Sequence, residues 1–182
     1  MSARAALKAA TAEAHERVDT AFSLFDLASG DGYRRFLLAQ AGALLPVEAE
    51  LDRAGAEAIL PDWPERRRGD LLRADLATLN VTAPELFPGP AFLSGKAPML
   101  GAIYVLEGSR LGGAVLKQAV PSHFPKGFLE ARQAAGSWRK LLQTLDSFLA
   151  RPDDLEAAIA AANEVFARFE HQAKAQVETS AA

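Results

Sequence analysis

Leu100–Leu116 reads LGAIYVLEGSRLGGAVL, an apolar helical run with Gly108, Gly112 and Gly113 in its interior. Leu100, Tyr104, Leu111 and Val115 recur at helical spacing as one apolar stripe, and Pro98 just upstream suits a helix start. Each interior glycine costs about 1 kcal/mol relative to alanine. A cost of that size calls for a reason: a kink, a close helix–helix crossing, or a flat ligand lying directly against backbone. The spacing alone leaves all three open.

Outward from this stretch, nearly every segment reads as helix. Ala3 to about Thr20 places Leu7, Ala10, Ala14 and Val18 on one face, with Ser2 as N-cap. Asp31 is read as the cap of a second helix, Gly32 to about Arg53, which Pro46 is expected to kink. Asp62 and Pro64 precede a third, Glu65–Leu79, with Leu71, Leu72, Leu76 and Leu79 inside. Residues 80–98 carry four prolines and read as loop. After the glycine helix and a short loop, a helix is expected from about Phe128 to Leu149. A last one opens at Pro152 with Asp153 and Asp154 in its first turn and runs to about Val177. No alternating run bounded by turn signals makes a strand. The expectation is one all-α domain, a single-domain helical bundle over residues 1–182, with 178–182 as a frayed tail. The run Arg66-Arg67-Arg68 reads as a solvated face.

Composition narrows the function. At 182 residues and 49% hydrophobic, the chain is long enough to bury a sizeable core. A net charge of −3 gives no electrostatic case for nucleic acid. No uninterrupted apolar run reaches the roughly 18 residues of a membrane span, and the N-terminus lacks a secretion-signal pattern. The absence of cysteine excludes disulfides, thiolate metal sites and cysteine nucleophiles, and fits a cytoplasmic setting.

Several chemistries are excluded by motif. Glu107 stands where a nucleophile elbow around Ser109 needs glycine, and GSRLGG lacks the strand and Lys-Ser/Thr of a phosphate loop. His15, His123 and His171 belong to no Glu-x-x-His or HExxH pattern. His123 and His171 read as ordinary surface residues, and Phe166 and Phe169 as core. His15 differs, because Lys8, Thr11 and Asp19 lie three or four residues apart along its face. Asp19 is placed to fix the imidazole tautomer and leave the other nitrogen for a ligand. Taken alone, the simpler reading is a half-exposed histidine with an acidic neighbour.

Together, LKAATAEAHERVD and LGAIYVLEGSRLGGAVL resemble the proximal and distal helices of the heme oxygenases, especially the bacterial branch often encoded beside bacterial phytochromes. The resemblance covers essentially the whole chain. It implies His15 as the axial ligand of heme iron, and Gly108 and Gly112 over the heme, with Gly113 in the same kink. Ser109 falls where other members organise distal water. Lys8, Tyr104 and Arg139 match positions that meet the heme propionates, and Thr11 shares the proximal face. Asp19 replaces a more usual glutamate one methylene longer, which makes a bridging water the alternative to direct contact with His15.

The function so implied is cleavage of heme b, both cofactor and substrate, with O2, to biliverdin, carbon monoxide and ferrous iron. Electrons would come from a ferredoxin- or flavin-based redox donor protein, and a bacterial phytochrome would accept the bilin. A cytoplasmic enzyme with no membrane or nucleic-acid partner is expected. A non-catalytic heme or bilin carrier on the same scaffold is the alternative, since binding needs only His15 and a slot. A fold relative with another small-molecule substrate is a third.

Overall fold

Ser2 caps the first helix as its periodicity predicts: Oγ accepts from Ala5 N at 3.3 Å, and α1 (Ala3–Ala10) buries Ala3 and Leu7. The computed structural model describes residues 2–85 and 91–179, so the centre of the expected 80–98 loop and most of the expected tail lie outside the described residues. Where one helix to Thr20 was expected, the chain breaks at Thr11 and resumes as α2 (Ala12–Phe22). The cause is local. Thr11 Oγ1 donates to Leu7 O at 2.8 Å while its backbone sits at φ −108, ψ 3, and such back-bonding bends helices.

The long helix α3 (Gly30–Ala54) takes its cap two residues before the expected Asp31. Ser29, extended at φ −90 and ψ 145, is the N-cap and accepts from Gly32 N at 3.0 Å. Asp31 lies in the first turn, where it pairs with Arg35 and complements the helix dipole. The helix runs uninterrupted through Pro46 and ends at Gly55, whose φ of +81 only glycine adopts freely. Phe36, Leu37, Leu44 and Leu51 form its inward face.

Two expected helices are each broken in two, the first of them at a distant carboxylate. In place of Glu65–Leu79 stand α4 (Trp63–Arg66) and α5 (Gly69–Thr78). Between them Glu48 of α3 accepts from Arg68 N at 2.7 Å and Gly69 N at 2.9 Å, which diverts the backbone from its helical course. Leu72 and Leu76 are buried as expected, whereas Leu71 is 41% exposed. Beyond α6 (Lys96–Leu116), the expected 128–149 helix is likewise two, α7 (Gly127–Glu130) and α8 (Ser137–Phe148). Asp75 of α5 accepts from Gly127 N and Phe128 N and so caps the start of α7, whereas the break itself falls between Glu130 and Ser137, where Gly136 turns the chain at φ +83.

The closing helix α9 (Pro152–Glu178) packs along α6, α3 and α2, and so ties both ends of the chain to its middle. No strand occurs among the described residues. α6 is long and apolar enough by composition to cross a membrane, yet Leu100, Ala102 and Ile103 are buried in the protein core. A fully buried leucine or isoleucine contributes roughly 1.5–3 kcal/mol.

The apolar stripe of α6 fails in its second half. Leu100 is buried, but Leu111 and Val115 are 65% and 68% exposed. The stripe continues geometrically while the protein beside it does not, because beyond Tyr104 the helix borders an open cavity.

Candidate functional site

The cavity has a volume of about 650 Å³ and is lined by α1, α2 and α6, with contributions from α3, α7, α8 and α9. That size lies within the range of about 300–1,000 Å³ typical of cofactor and small-molecule sites. Its walls are mostly apolar, including Phe36, Phe128, Phe166 and Phe169. Among the described residues, no group of histidine, cysteine, aspartate and glutamate could hold a free metal ion.

α2 brings His15 to this cavity. Its Nδ1 lies 3.0 Å from Asp19 Oδ2, one turn on, so the shorter aspartate reaches the ring without a bridging water. An ionised carboxylate there requires the proton on Nδ1 and leaves the Nε2 lone pair free. The Phe166 ring meets the imidazole edge-on at a centroid distance of 5.7 Å, and so braces it from α9. Lys8 lines the same cavity from α1. Thr11 does too, but its hydroxyl hydrogen is committed to Leu7 O. Arg4, passed over in the sequence, also lines it. The signal was present: Arg4 precedes Lys8 by four residues and shares its helix face.

α6 supplies the second wall, and its glycines divide by role. A Cβ added to Gly108 or Gly112 would meet nothing within 4 Å, so these two leave bare backbone beside empty space. Gly113 instead backs onto Leu129, whose nearest atoms would be 3.6 Å away. The close helix crossing is at Gly101, where a Cβ would overlap the Ala158 carbonyl of α9. The close crossing thus falls at Gly101, outside the trio, while Gly108 and Gly112 leave open space beside their backbone. α6 is continuous as a helix from Lys96 to Leu116.

Ser109 faces the cavity with its hydroxyl already engaged. Oγ donates to Leu106 O at 2.7 Å and accepts from Arg68 Nη2 at 2.5 Å. Arg68 is only 4% exposed, lines the cavity, and also donates through Nη2 to Leu106 O at 2.9 Å. Its guanidinium carbon lies 4.8 Å from the Phe128 ring centroid. Burial, reinforced by the charge of Arg110, pulls the Arg68 pKa down to about 10.

The solvated arginine face is thus corrected: of the three residues only Arg67 is on the surface, paired with Asp52. Arg66, 4% exposed, donates to Glu107 Oε2 at 2.8 Å, to Asp62 and to Ser137 O. Arg110 holds the other oxygen of Glu107 at 2.8 Å and donates to Arg66 O, and Gln133 adds a bond to Oε2. A buried carboxylate with this many donors is satisfied, and it anchors the turn of α6 that carries Gly108.

Tyr104 lines the cavity beside Trp138, with ring centroids 6.2 Å apart, and burial raises its pKa. Arg139 does not line it. One residue beyond Trp138 on α8, it turns about 100° away and is exposed. His123 and His171 are exposed, as expected. Phe166 and Phe169 are buried, and they also line the cavity.

No family model matches the chain. Among curated proteins it is similar to a heme oxygenase of Xanthomonas campestris pv. campestris, 38% identical over 117 residues (59% of this chain, 67% of the relative). It is also similar to heme oxygenase PigA of Pseudomonas aeruginosa, 31% identical over 169 residues (87% of this chain, 85% of the relative). Among solved structures, the NO- and CO-bound heme oxygenase of Neisseria meningitidis matches with a TM-score of 0.76 at 22% identity. The match covers 97% of this chain and 92% of that one. The heme oxygenase of Leptospira interrogans matches with a TM-score of 0.72 at 22% identity, covering 95% and 98%. At that identity the structural likenesses speak for the fold.

Proposed function

The chain belongs to the heme oxygenase family, and we propose that its cavity holds heme between His15 and the bare backbone of Gly108 and Gly112. It is an enzyme that degrades heme. One observation carries the proposed site: an imidazole with a carboxylate on Nδ1 shares a cavity with two helix glycines that nothing crowds. A flat apolar plate needs that combination, a nitrogen ligand for its metal and a wall without Cβ atoms.

Each residue has a task in this arrangement. His15 Nε2 would ligate the heme iron, and Asp19 holds the ring in the tautomer that keeps Nε2 available. Phe166 restrains the ring's rotation. Lys8 and Arg4, exposed at the cavity, meet the anionic propionates, with Tyr104 as a further hydrogen-bonding group beside them. Arg139 is exposed outside the cavity, and Arg4 takes the task expected of it. Gly108 and Gly112 let the plate approach α6, and the Glu107 anchor with Arg66 and Arg110 keeps that turn in register. Ser109 holds the second wall's polar group, Arg68, in position.

When bound, heme supplies the iron that takes up oxygen and the porphyrin ring that is cleaved. We assign molecular oxygen and an external ferredoxin- or flavin-based donor as co-reactants, with biliverdin, carbon monoxide and ferrous iron as products. The distal pattern Gly108-Ser109-Arg110-Leu111-Gly112-Gly113 supports the phytochrome-associated branch, with a bacterial phytochrome as bilin acceptor. The cysteine-free composition supports a cytoplasmic setting.

The test is absorbance of the protein mixed with hemin, before and after reductant is added under air. A histidine-type Soret band that decays as a broad red bilin band grows is the expected result. A stable Soret band would point to a carrier, and no Soret shift would overturn the site.

A further inference from the structure

Arg68 is the unexpected group in the cavity. It is 4% exposed, and none of the ion pairs among the described residues includes its side chain. Burying a cation costs several kcal/mol unless it is paired, and unpaired buried charges are correspondingly rare. Its neighbours offset only part of that cost. Leu106 O and Ser109 Oγ both take their hydrogen bonds from a single nitrogen, Nη2, and the Phe128 ring offers its face. Among the described residues Nη1 and Nε have no protein partner, and Arg110 adds a second positive charge nearby. Glu48 and Glu107 counter the Arg68 charge only from beyond ion-pair distance.

Its placement is imposed from outside. Glu48 grips the backbone N–H groups of Arg68 and Gly69, stopping α4 from continuing into α5 and directing the side chain at α6. The guanidinium then lies against the turn that carries Gly108 and Ser109. Arg4 and Lys8, by contrast, are exposed and suit anionic groups that extend toward solvent. Arg68 suits something small that enters the interior. Ser109 is no rival for this task, because its hydrogen already goes to Leu106 O.

We propose that Arg68 is an anion-binding residue of the cavity: pinned through Nη2, it uses Nη1 and Nε to hold a small anion on the α6 side of bound heme. This rests on the heme site proposed above. In turnover the same donors favour negative charge on a small ligand on that side, which a neutral serine could not do.

The experiment uses the ferric heme complex at neutral pH, titrated with fluoride and with azide and followed by the Soret band. Carbon monoxide on the ferrous complex is the neutral reference. Arg68→Met is expected to weaken fluoride and azide by about tenfold or more while carbon monoxide stays within about twofold, with Arg68→Lys between Met and wild type. Anion affinities unchanged in Arg68→Met would overturn the proposal, and so would equal losses for the anions and carbon monoxide. Arg68→Gln, which removes the charge and keeps two N–H donors, replaces Arg68→Met if that variant does not fold. The two proposals fail separately: a wild type without a Soret band removes the heme site, whereas a normal Soret band with charge-blind ligand affinity removes only the role of Arg68.

Discussion

Gly101 of α6 and Ala158 of α9 meet backbone to backbone, close enough that a single methyl group on Gly101 would overlap the Ala158 carbonyl. The two helices form the most extensive packing in the fold, and their approach brings the glycine wall beside the cavity. Gly101→Ala is therefore expected to destabilise the protein by about 2 kcal/mol or more, since the obstacle is backbone that cannot turn aside. Urea denaturation of the apoprotein reads this directly.

Gly112→Ala on the same helix has the opposite expectation. Its Cβ meets nothing within 4 Å, so the apoprotein gains roughly 0.5–1 kcal/mol of helix propensity and melts about 2–4 °C higher. Heme affinity should fall at the same time, because the methyl group occupies the space the plate needs. A variant that is more stable and binds heme as well as wild type would show that Gly112 does not face the ligand.

Asp19→Asn separates orientation from stability. The His15–Asp19 pair is exposed, at 61% and 68%, so its loss should change folding by no more than about 0.5 kcal/mol. Outer partners of metal-ligating histidines commonly matter 10- to 100-fold for affinity. A heme affinity at least roughly tenfold weaker, with an unchanged melting curve, is the expected result of titration by absorbance.

Glu107→Gln addresses the anchor behind the glycine wall. Glu107 is 1% exposed between Arg66 and Arg110, and removing its charge leaves the buried Arg110 guanidinium without a counter-ion and Arg66 with Asp62 alone. With only Arg110 left unpaired, a loss of about 3 kcal/mol is expected from chemical denaturation.

Tyr33 carries the alkaline limit. Burial, and secondarily the charges of Asp75 and Glu130, push its pKa far above the ordinary value, while its hydroxyl donates to Pro125 O at 2.7 Å. A raised folded pKa favours the neutral form. Its stabilising contribution is full below the unfolded value of about 10 and is lost as pH rises above it. Tyr33→Phe should cost about 1 kcal/mol at neutral pH and show a shallower loss than wild type above about pH 10. Parallel slopes in denaturation across that range would contradict the assignment.

Much of the architecture was legible because it is local. Periodicity located α3, α6 and α9 to within a few residues, and Ser2 marked the start of α1, since a helix reports its buried face every 3.6 positions. His15, Asp19 and Lys8 were legible for the same reason, lying along one helical stretch. Arg4 was equally available. What misled was the assumption that a pattern reports its own environment: three adjacent arginines look solvated, and Leu111 and Val115 look buried, whatever lies beside them.

The sequence by itself determined that the chain is helical, where its main helices lie and that Lys8, His15 and Asp19 follow one another along one helical stretch, because hydrogen bonding within a helix and side-chain spacing along it are nearest-neighbour properties. Tertiary structure alone decided that Arg66 and Arg68 turn inward, that the expected helices at 65–79 and 128–149 each break in two, and that Gly101 rather than Gly112 makes the close crossing. For Arg66, Arg68 and Gly101 the deciding partner is remote: Glu107 for Arg66, Glu48 for the backbone of Arg68, Ala158 for Gly101. A buried charge or backbone amide goes where its counterpart is, and no local spacing encodes a carboxylate forty residues away.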